Sequence, residues 1–471
     1  MNKFVKTSLL IISLLFTVTG CDNTDNVSVE KEMSIDTSGL GVEGCGTVGP
    51  FNVSFNLEDY ATIEDEPSIN KARIALLFAA NICNYSQINV SGAVPLDQAM
   101  GYVRLFARFE LEDIRDYVIS SNSGDADTSY IQIAHHFIKT SKKKYDIVFC
   151  SVIDSSILST WESNTDVGYD NESYYSKAGQ CVEWTEKENH KGFDVSANRT
   201  VTTIEEYLSS IKSRKTPQIL YLFGHSRGGA ISNLAAKKLI DKGHNVVAYT
   251  MASPLTTTSS EASNPKYNHI FNYVNAVDTF THIPSADWGF KRYGQDIHFD
   301  IRNYKEAFKQ YTGLDLPEYE DSSIVETLLN STCESRELAY VFDEKYTLDT
   351  SKELDDQAAV DKYIENYKKK FSTSFESLQS YVRFDVTTVD GKFVVKAIGC
   401  PALLSQLIGI GIAAYSLKYA FSTLALQYYS IISVYAKVAG IDNVMSLKDS
   451  VDTKSITFAH FYQSYGSYFF A

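Results

Sequence analysis

The sequence predicts an α/β fold, a parallel sheet flanked by helices, and three observations carry that prediction. Ile219 to Phe223 is an apolar run after Pro217, with the length and character of a buried parallel strand. The chain then passes through Gly224-His225-Ser226-Arg227-Gly228-Gly229 into Ile231, Leu234, Ala235 and Leu239, spaced as one face of a helix. Lys237, Lys238 and Lys242 gather at the end of that helix, Gly243 stops it, and Asn245 to Met251 reads as the next strand. Strand, tight turn, helix, strand is the arrangement that holds a serine hydroxyl out at the end of a sheet. The turn brings strand and helix so close that positions two before and two after Ser226 must lack side chains, as Gly224 and Gly228 do.

The chain has 471 residues, 44% of them hydrophobic, enough for one large domain or two ordinary ones. Its 58 acidic against 43 basic residues give a net charge of −15. That surface excludes a nucleic-acid partner and leaves any hold on anionic lipid to apolar insertion. Lys3 and Lys6 precede the apolar Leu9 to Phe16, and Val18-Thr19-Gly20-Cys21 follows. This resembles a bacterial lipobox, so residues 1–20 read as a lipoprotein signal peptide and Cys21 as the lipidated residue. The polar 21–50 then reads as a tether, and the chain as lipid-anchored in the bacterial cell envelope, facing the periplasm or exterior. The remaining Cys45, Cys83, Cys150, Cys181, Cys333 and Cys400 match no zinc spacing, and their pairing is open. Cys150, in an apolar run, reads as a buried thiol.

Residues 51–303 form the expected main domain. Ala72 to Cys83 reads as a helix, as does Tyr102 to Tyr117 with its alternating aromatic and charged residues. Ser129 to Ile138 and Tyr145 to Val152 read as adjacent strands joined by Lys142-Lys143-Lys144. Val201 to Lys212 is a helix feeding the strand before Ser226, and Ile270 to Val274 a strand ending at Asn275-Ala276-Val277-Asp278. Residues 304–449 change character and read as a large, mostly helical insertion. It contains a charged helix at Asp355 to Lys370 and a hairpin, Val382 to Val389 with Phe393 to Ile398, around Asp390-Gly391. Leu403 to Ala436 is almost wholly apolar. It fits a lid or membrane-dipping hairpin, or packed helices, but Leu403 to Leu417 is too short to span a bilayer. Residues 450–471 return to the core with their aromatics.

A serine hydroxyl needs a base to become a nucleophile, and the base needs a carboxylate to fix its tautomer. Asp278, at the end of a strand, fits the acid, with Asp287 as a rival. Three histidines follow in the right order: His282, only a turn away from Asp278, His298, and His460 between Phe458 and Phe461. The oxyanion formed on attack needs backbone N–H donors. One is that of Arg227, and the other belongs to the loop at Ser151 to Ser156. Such chemistry needs no metal or other cofactor.

Gly224-His225-Ser226-Arg227-Gly228-Gly229-Ala230 resembles the elbow of the class 3 (fungal-type) lipases, which usually reads Gly-His-Ser-Leu-Gly-Gly-Ala. His190-Lys191-Gly192-Phe193 matches that family's His-x-Gly-Phe. Asn275 to Pro284 is similar to its Asn-x-x-Asp-x-Val-Pro-x-x-Pro segment, and Ala459-His460-Phe461 to its C-terminal histidine before aromatics. The resemblance implies an α/β-hydrolase fold with Ser226 as nucleophile, Asp278 as acid and His460 as base. Two departures stand out. The family's oxyanion loop carries Arg-Gly-Thr or Arg-Gly-Ser before a tryptophan. Here Cys150 to Ser156 before Trp161 has neither arginine nor glycine, leaving Ser155 or Ser151 as stand-ins. The span from Asp278 to His460 also exceeds the family's usual gap, which makes 304–449 an insertion or a second lobe. The interval Thr165 to Asn189 is too polar for the family's usual lid, which turns attention to Leu403 to Ala436. The expected function is a membrane-anchored serine hydrolase of lipid or phospholipid acyl esters. The alternatives are a soluble-ester or thioester hydrolase and an inactive binding lipoprotein.

Overall fold

The computed structural model describes residues 31–35, 51–91, 105–106, 109–119, 129–139, 144–154, 164, 186, 188–211, 216–282, 286, 290–318, 351–370, 382–399, 458–460 and 462–471. The lipobox with Cys21, the loop at Ser155 and the apolar Leu403 to Ala436 lie outside the described residues.

Within the expected tether, β1 (Lys31–Ile35) pairs antiparallel with β2 (Phe51–Phe55). The apolar helix foreseen near Ala72 is α1 (Ile69–Ser91), and it buries Ile74, Leu77, Phe78 and Ile82. The helix expected over Tyr102 to Tyr117 is a correction. Its second half is a strand, β3 (Glu112–Ile119), because alternation at every second residue is a strand's period rather than a helix's. The next two strands, β4 (Ser129–Lys139) and β5 (Lys144–Val152), pair antiparallel as expected. Then α2 (Lys191–Ile211), β6 (Gln218–His225), α3 (Arg227–Asp241) and β7 (Asn245–Met251) complete the elbow region. They are followed by β8 (Ile270–Asn275), β9 (Gln295–Phe299) and α4 (Lys305–Thr312). The edge strand β9 escaped the sequence pattern, because its alternation is too short and polar to stand out.

The central sheet has seven strands in the order β3-β4-β5-β6-β7-β8-β9. The first two pairings are antiparallel and those from β5 onward parallel. This is a mixed sheet with flanking helices, the α/β class that the sequence predicts. Because right-handed crossovers join neighbouring parallel strands, α2 and α3 lie on one face. β6 shows how sequence sorts the layers. Leu220 and Leu222 pack with Phe193, Ile231 and Leu234 of α2 and α3. Ile219, Tyr221 and Phe223 pack with Phe78 of α1 and, at the far end of the chain, Tyr465 and Phe469. Burial on both faces is why the strand reads as continuously apolar. Cys150 is a buried free thiol in this layer, and burial pushes its pKa up, away from thiolate chemistry.

The described part of 304–449 continues with β10 (Ser351–Leu354), α5 (Gln357–Lys370), β11 (Val382–Val389) and β12 (Lys392–Gly399). The strands form an antiparallel sheet in the order β10-β12-β11. Asp390 and Gly391 both take positive φ, 50° and 78°, the geometry a two-residue hairpin turn demands. A mostly helical insertion is therefore not what its described residues show: they mix helix and sheet. The chain ends in α6 (Tyr462–Phe469). This helix is pinned to the body of the fold at its last turn. Arg73 Nε of α1 donates to the Phe469 carbonyl at 2.7 Å, and the Tyr311 hydroxyl of α4 donates to that of Phe470 at 2.6 Å. Among the described residues no helix is long and apolar enough to cross a membrane.

Candidate active site

The end of β6 and the start of α3 meet at Ser226, whose backbone is held at φ 52° and ψ −126°. A non-glycine residue rarely adopts such an angle, so the surroundings must enforce it. They do so by close packing. A Cβ on Gly224 would lie 2.7 Å from the Gly229 nitrogen, and one on Gly228 would lie 2.6 Å from the Ile153 carbonyl oxygen. Glycine at both places lets α3 start against the strand end, and the Ser226 N–H is fastened to the Met251 carbonyl at 2.9 Å. The Ser226 side chain makes no cap hydrogen bond to the helix, so its hydroxyl is left to other partners.

Its partner is His460. Nε2 lies 2.8 Å from Ser226 Oγ, across a sequence separation of 234 residues. On the other side of the ring, Nδ1 is 3.0 Å from each oxygen of Asp278, which sits fully buried just past the end of β8. The structure thus brings Ser226, His460 and Asp278 into one chain of hydrogen bonds. His282 and His298 are exposed and take no part. Asp287 lies outside the described residues. The Asp278 carboxylate accepts further hydrogen bonds from the Phe280 N–H at 3.1 Å and the Tyr465 hydroxyl at 3.0 Å. Burial, together with the neighbouring charge of Asp278, pushes the Tyr465 pKa well up, so this hydroxyl stays a donor. A carboxylate so surrounded favours the tautomer with the proton on Nδ1, leaving Nε2 as acceptor for the serine proton. Phe280 packs its ring on that of His460, centroids 4.4 Å apart.

Of the residues expected to donate to an oxyanion, Arg227 and Ser151 are described. Arg227 is the first residue of α3, where helix geometry gives a backbone N–H no intrahelical carbonyl. Its side chain turns inward instead, beneath α2, with Nη2 donating to Ser196 Oγ at 2.8 Å. Gly228 places this turn against Val152 and Ile153, so the end of β5 adjoins the start of α3. Ser151, expected as a stand-in for the second donor, is not in the loop after β5. It lies within β5, its backbone paired to Gln132 on one side and Phe223 on the other, and its hydroxyl is buried. The Ile153 N–H is also committed, to the Tyr130 carbonyl at 3.1 Å. Ser155 lies outside the described residues.

His190-Lys191-Gly192-Phe193 forms the junction into α2 rather than a part of the triad. The His190 N–H donates to the Thr256 carbonyl at 2.8 Å, and its ring stacks on Phe193 with centroids 3.9 Å apart. Burial, reinforced by the charge of Arg227, pushes the His190 pKa down to about 3. The unfolded chain protonates this residue near pH 6.5. The stabilisation from keeping it neutral is therefore present above that pH and lost as pH falls toward 3. At pH 4.5 the loss should be on the order of 2–3 kcal/mol. His190→Gln is expected to shrink the fall in Tm between pH 7 and pH 4.5, as read by thermal denaturation. An unchanged fall would assign the acid sensitivity to other groups.

Among the described residues no group of three or more His, Cys, Asp or Glu could hold a metal ion. The geometry suits acyl transfer through an activated serine at the open end of a parallel sheet. Residues 158–288 match the profile of the family described as lipase (class 3). The matched segment is less than a third of the chain. It contains Ser226 and Asp278, and His460 joins it from outside. Among curated proteins, the lysophosphatidylserine lipase ABHD12 of Danio rerio is 31% identical over 70 residues. Those residues are 15% of this chain and 18% of that protein, so the chain spans less than a fifth of the relative's length. Similar solved structures include the triacylglyceride lipase of Rhizomucor miehei, at 22% identity over 49% of this chain and 79% of that one, with a TM-score of 0.33. The nonglycosylated LIP2 lipase of Yarrowia lipolytica is 17% identical, covering 42% and 69%, with a TM-score of 0.30.

Sequence reading missed the polar residues that surround this site. His225 and Asn275 are defined positions of the matched motifs, but the motifs assign them no role beside Ser226 and Asp278. Tyr465 had no signal beyond its place in an aromatic tail.

Proposed function

We propose that this chain is a membrane-anchored serine hydrolase that cleaves carboxylic esters, with acyl esters of lipids or phospholipids as its substrates. The hydrogen-bonded chain Ser226 Oγ, His460 Nε2 and Nδ1, Asp278 carboxylate carries the reading. Ser226 Oγ attacks the ester carbonyl while His460 takes its proton, and the Arg227 N–H faces the oxyanion that develops. His460 then gives the proton to the departing alcohol, leaving an acyl-serine. Water, deprotonated by the same imidazole, releases the acid and restores the hydroxyl. The match to the class 3 lipase profile and the lipase name of the Danio rerio relative support a lipid acyl chain. The lipobox-like Val18 to Cys21 supports a diacylglycerol anchor on Cys21, in the bacterial cell envelope, which would hold the site beside a lipid surface.

The test is labelling by a fluorophosphonate probe, followed by hydrolysis of nitrophenyl esters of increasing chain length and of a phospholipid. Covalent labelling of the folded protein and a preference for long acyl chains are expected. A preference for short esters or thioesters would replace the lipid assignment. No labelling of folded protein would overturn the enzyme reading in favour of a binding lipoprotein. Cys21→Ser should release the protein from membranes, and a protein still membrane-bound and lipid-labelled would sink the anchor.

A further inference from the structure

We infer that His225, the residue before the nucleophile, is a positioning residue that clamps the backbone of the catalytic base; this rests on the serine-hydrolase reading of the same site. His460 reaches the site on a terminal segment far in sequence from Ser226 and Asp278, so tertiary contacts must fix where its ring stands. Two such contacts fall on consecutive carbonyls of that segment. His225 Nε2 lies 2.7 Å from the carbonyl oxygen of His460, and Asn275 Nδ2 donates to that of Ala459 at 2.9 Å. His225 is the last residue of β6 and Asn275 the last of β8. The strand ends that present the nucleophile and the acid therefore also grip the segment that carries the base.

The chemistry of the first contact is defined. A carbonyl oxygen only accepts, so the proton must sit on Nε2 of His225. Burial of the ring holds its pKa down against the pull of Asp154, which keeps the ring a neutral donor. Asp154 Oδ2 stands 3.6 Å from Nδ1, beyond hydrogen-bond range, and is within reach of the Tyr462 hydroxyl at 3.1 Å. Tyr462 also lies against the His225 imidazole, ring centroids 4.1 Å apart. His225 is thus packed, fully buried, between the loop after β5 and the first turn of α6, with Nε2 on the His460 carbonyl. This explains why a histidine, rather than any residue able to pack, precedes Ser226. Asn275 is held in the same way, since its Oδ1 accepts from the Ile301 N–H at 3.2 Å.

The test compares His225→Phe, which keeps a ring against Tyr462 but removes the donor, with His225→Gln, whose amide N–H can take the place of Nε2. Displacing a catalytic group by about 1 Å costs on the order of 10²-fold in rate. His225→Phe is expected to lower kcat by about that factor with KM little changed, and His225→Gln to recover most of it. A folded Phe variant with undiminished kcat, or a Gln variant as slow as Phe, would overturn the clamp. Should the Phe variant not fold, His225→Gln decides alone: kcat near wild type is expected, and a loss approaching 10²-fold overturns it. The low-field Nδ1–H proton resonance of His460 supplies a readout that needs no turnover. It should shift or broaden in the Phe variant and return in the Gln variant, and an unmoved resonance overturns the clamp. A wild-type protein that neither labels nor hydrolyses esters would refute the hydrolase reading, and this resonance would still judge the clamp.

Discussion

Ser226→Ala is expected to lower kcat by about 10⁵–10⁶-fold and to leave the thermal transition where it was. The Oγ caps nothing in α3, and alanine has the same backbone demands as serine at φ 52°, so its loss touches chemistry rather than fold. Asp278→Asn probes the other end of the relay and should cost about 10⁴-fold in kcat with little change in KM. Its amide can present a donor to Nδ1, which favours the tautomer that points a proton at the serine instead of accepting one. Because the three groups act as a unit, the double variant Ser226→Ala/Asp278→Asn should be no slower than Ser226→Ala alone. Steady-state hydrolysis of a nitrophenyl ester, with fluorophosphonate labelling of each variant, reads all three. If Asp278→Asn stayed within about tenfold of wild type, the buried carboxylate would be structural, its hydrogen bonds from Phe280 and Tyr465 serving the fold alone.

The elbow was legible because its chemistry and its sterics leave the same mark on the sequence. Gly224 and Gly228 are required by backbone crowding, and the apolar runs around them by burial on both faces of the sheet. His460 could not be chosen from residues alone, since His282 and His298 had equal claims by order. Only the family resemblance pointed to it, because the physical signal lies in tertiary contacts with β6 and β8. The strand β3 was lost to a period misread: its charged and aromatic alternation is that of an edge strand, where one face meets water. Ser151, one of the two stand-ins for the second oxyanion donor, is a related case. Ser151 looked like a loop residue, yet β5 runs on to Val152 and absorbs its backbone into the sheet.

Gly228→Ala should destabilise the protein by about 3 kcal/mol or more, with activity lost well before the fold is. The added methyl would meet the carbonyl oxygens of both Val152 and Ile153, and these are backbone atoms at the end of a paired strand, unable to swing aside. The only relief is for α3 to back away from β5. That shift carries the Arg227 N–H with it and opens the space between this donor and the loop that should supply the second, so kcat should fall by about 10²-fold even in the folded fraction. Gly243→Ala separates this from a general intolerance of side chains. Gly243 has φ of 85° but nothing within 4 Å of an added methyl, so alanine there pays only backbone strain, about 1–2 kcal/mol, with kcat unaltered. Denaturant unfolding and steady-state kinetics on both variants make the comparison. Equal kcat in the two would mean that the approach of α3 to β5 serves packing alone, and that the oxyanion is held by groups other than the start of this helix.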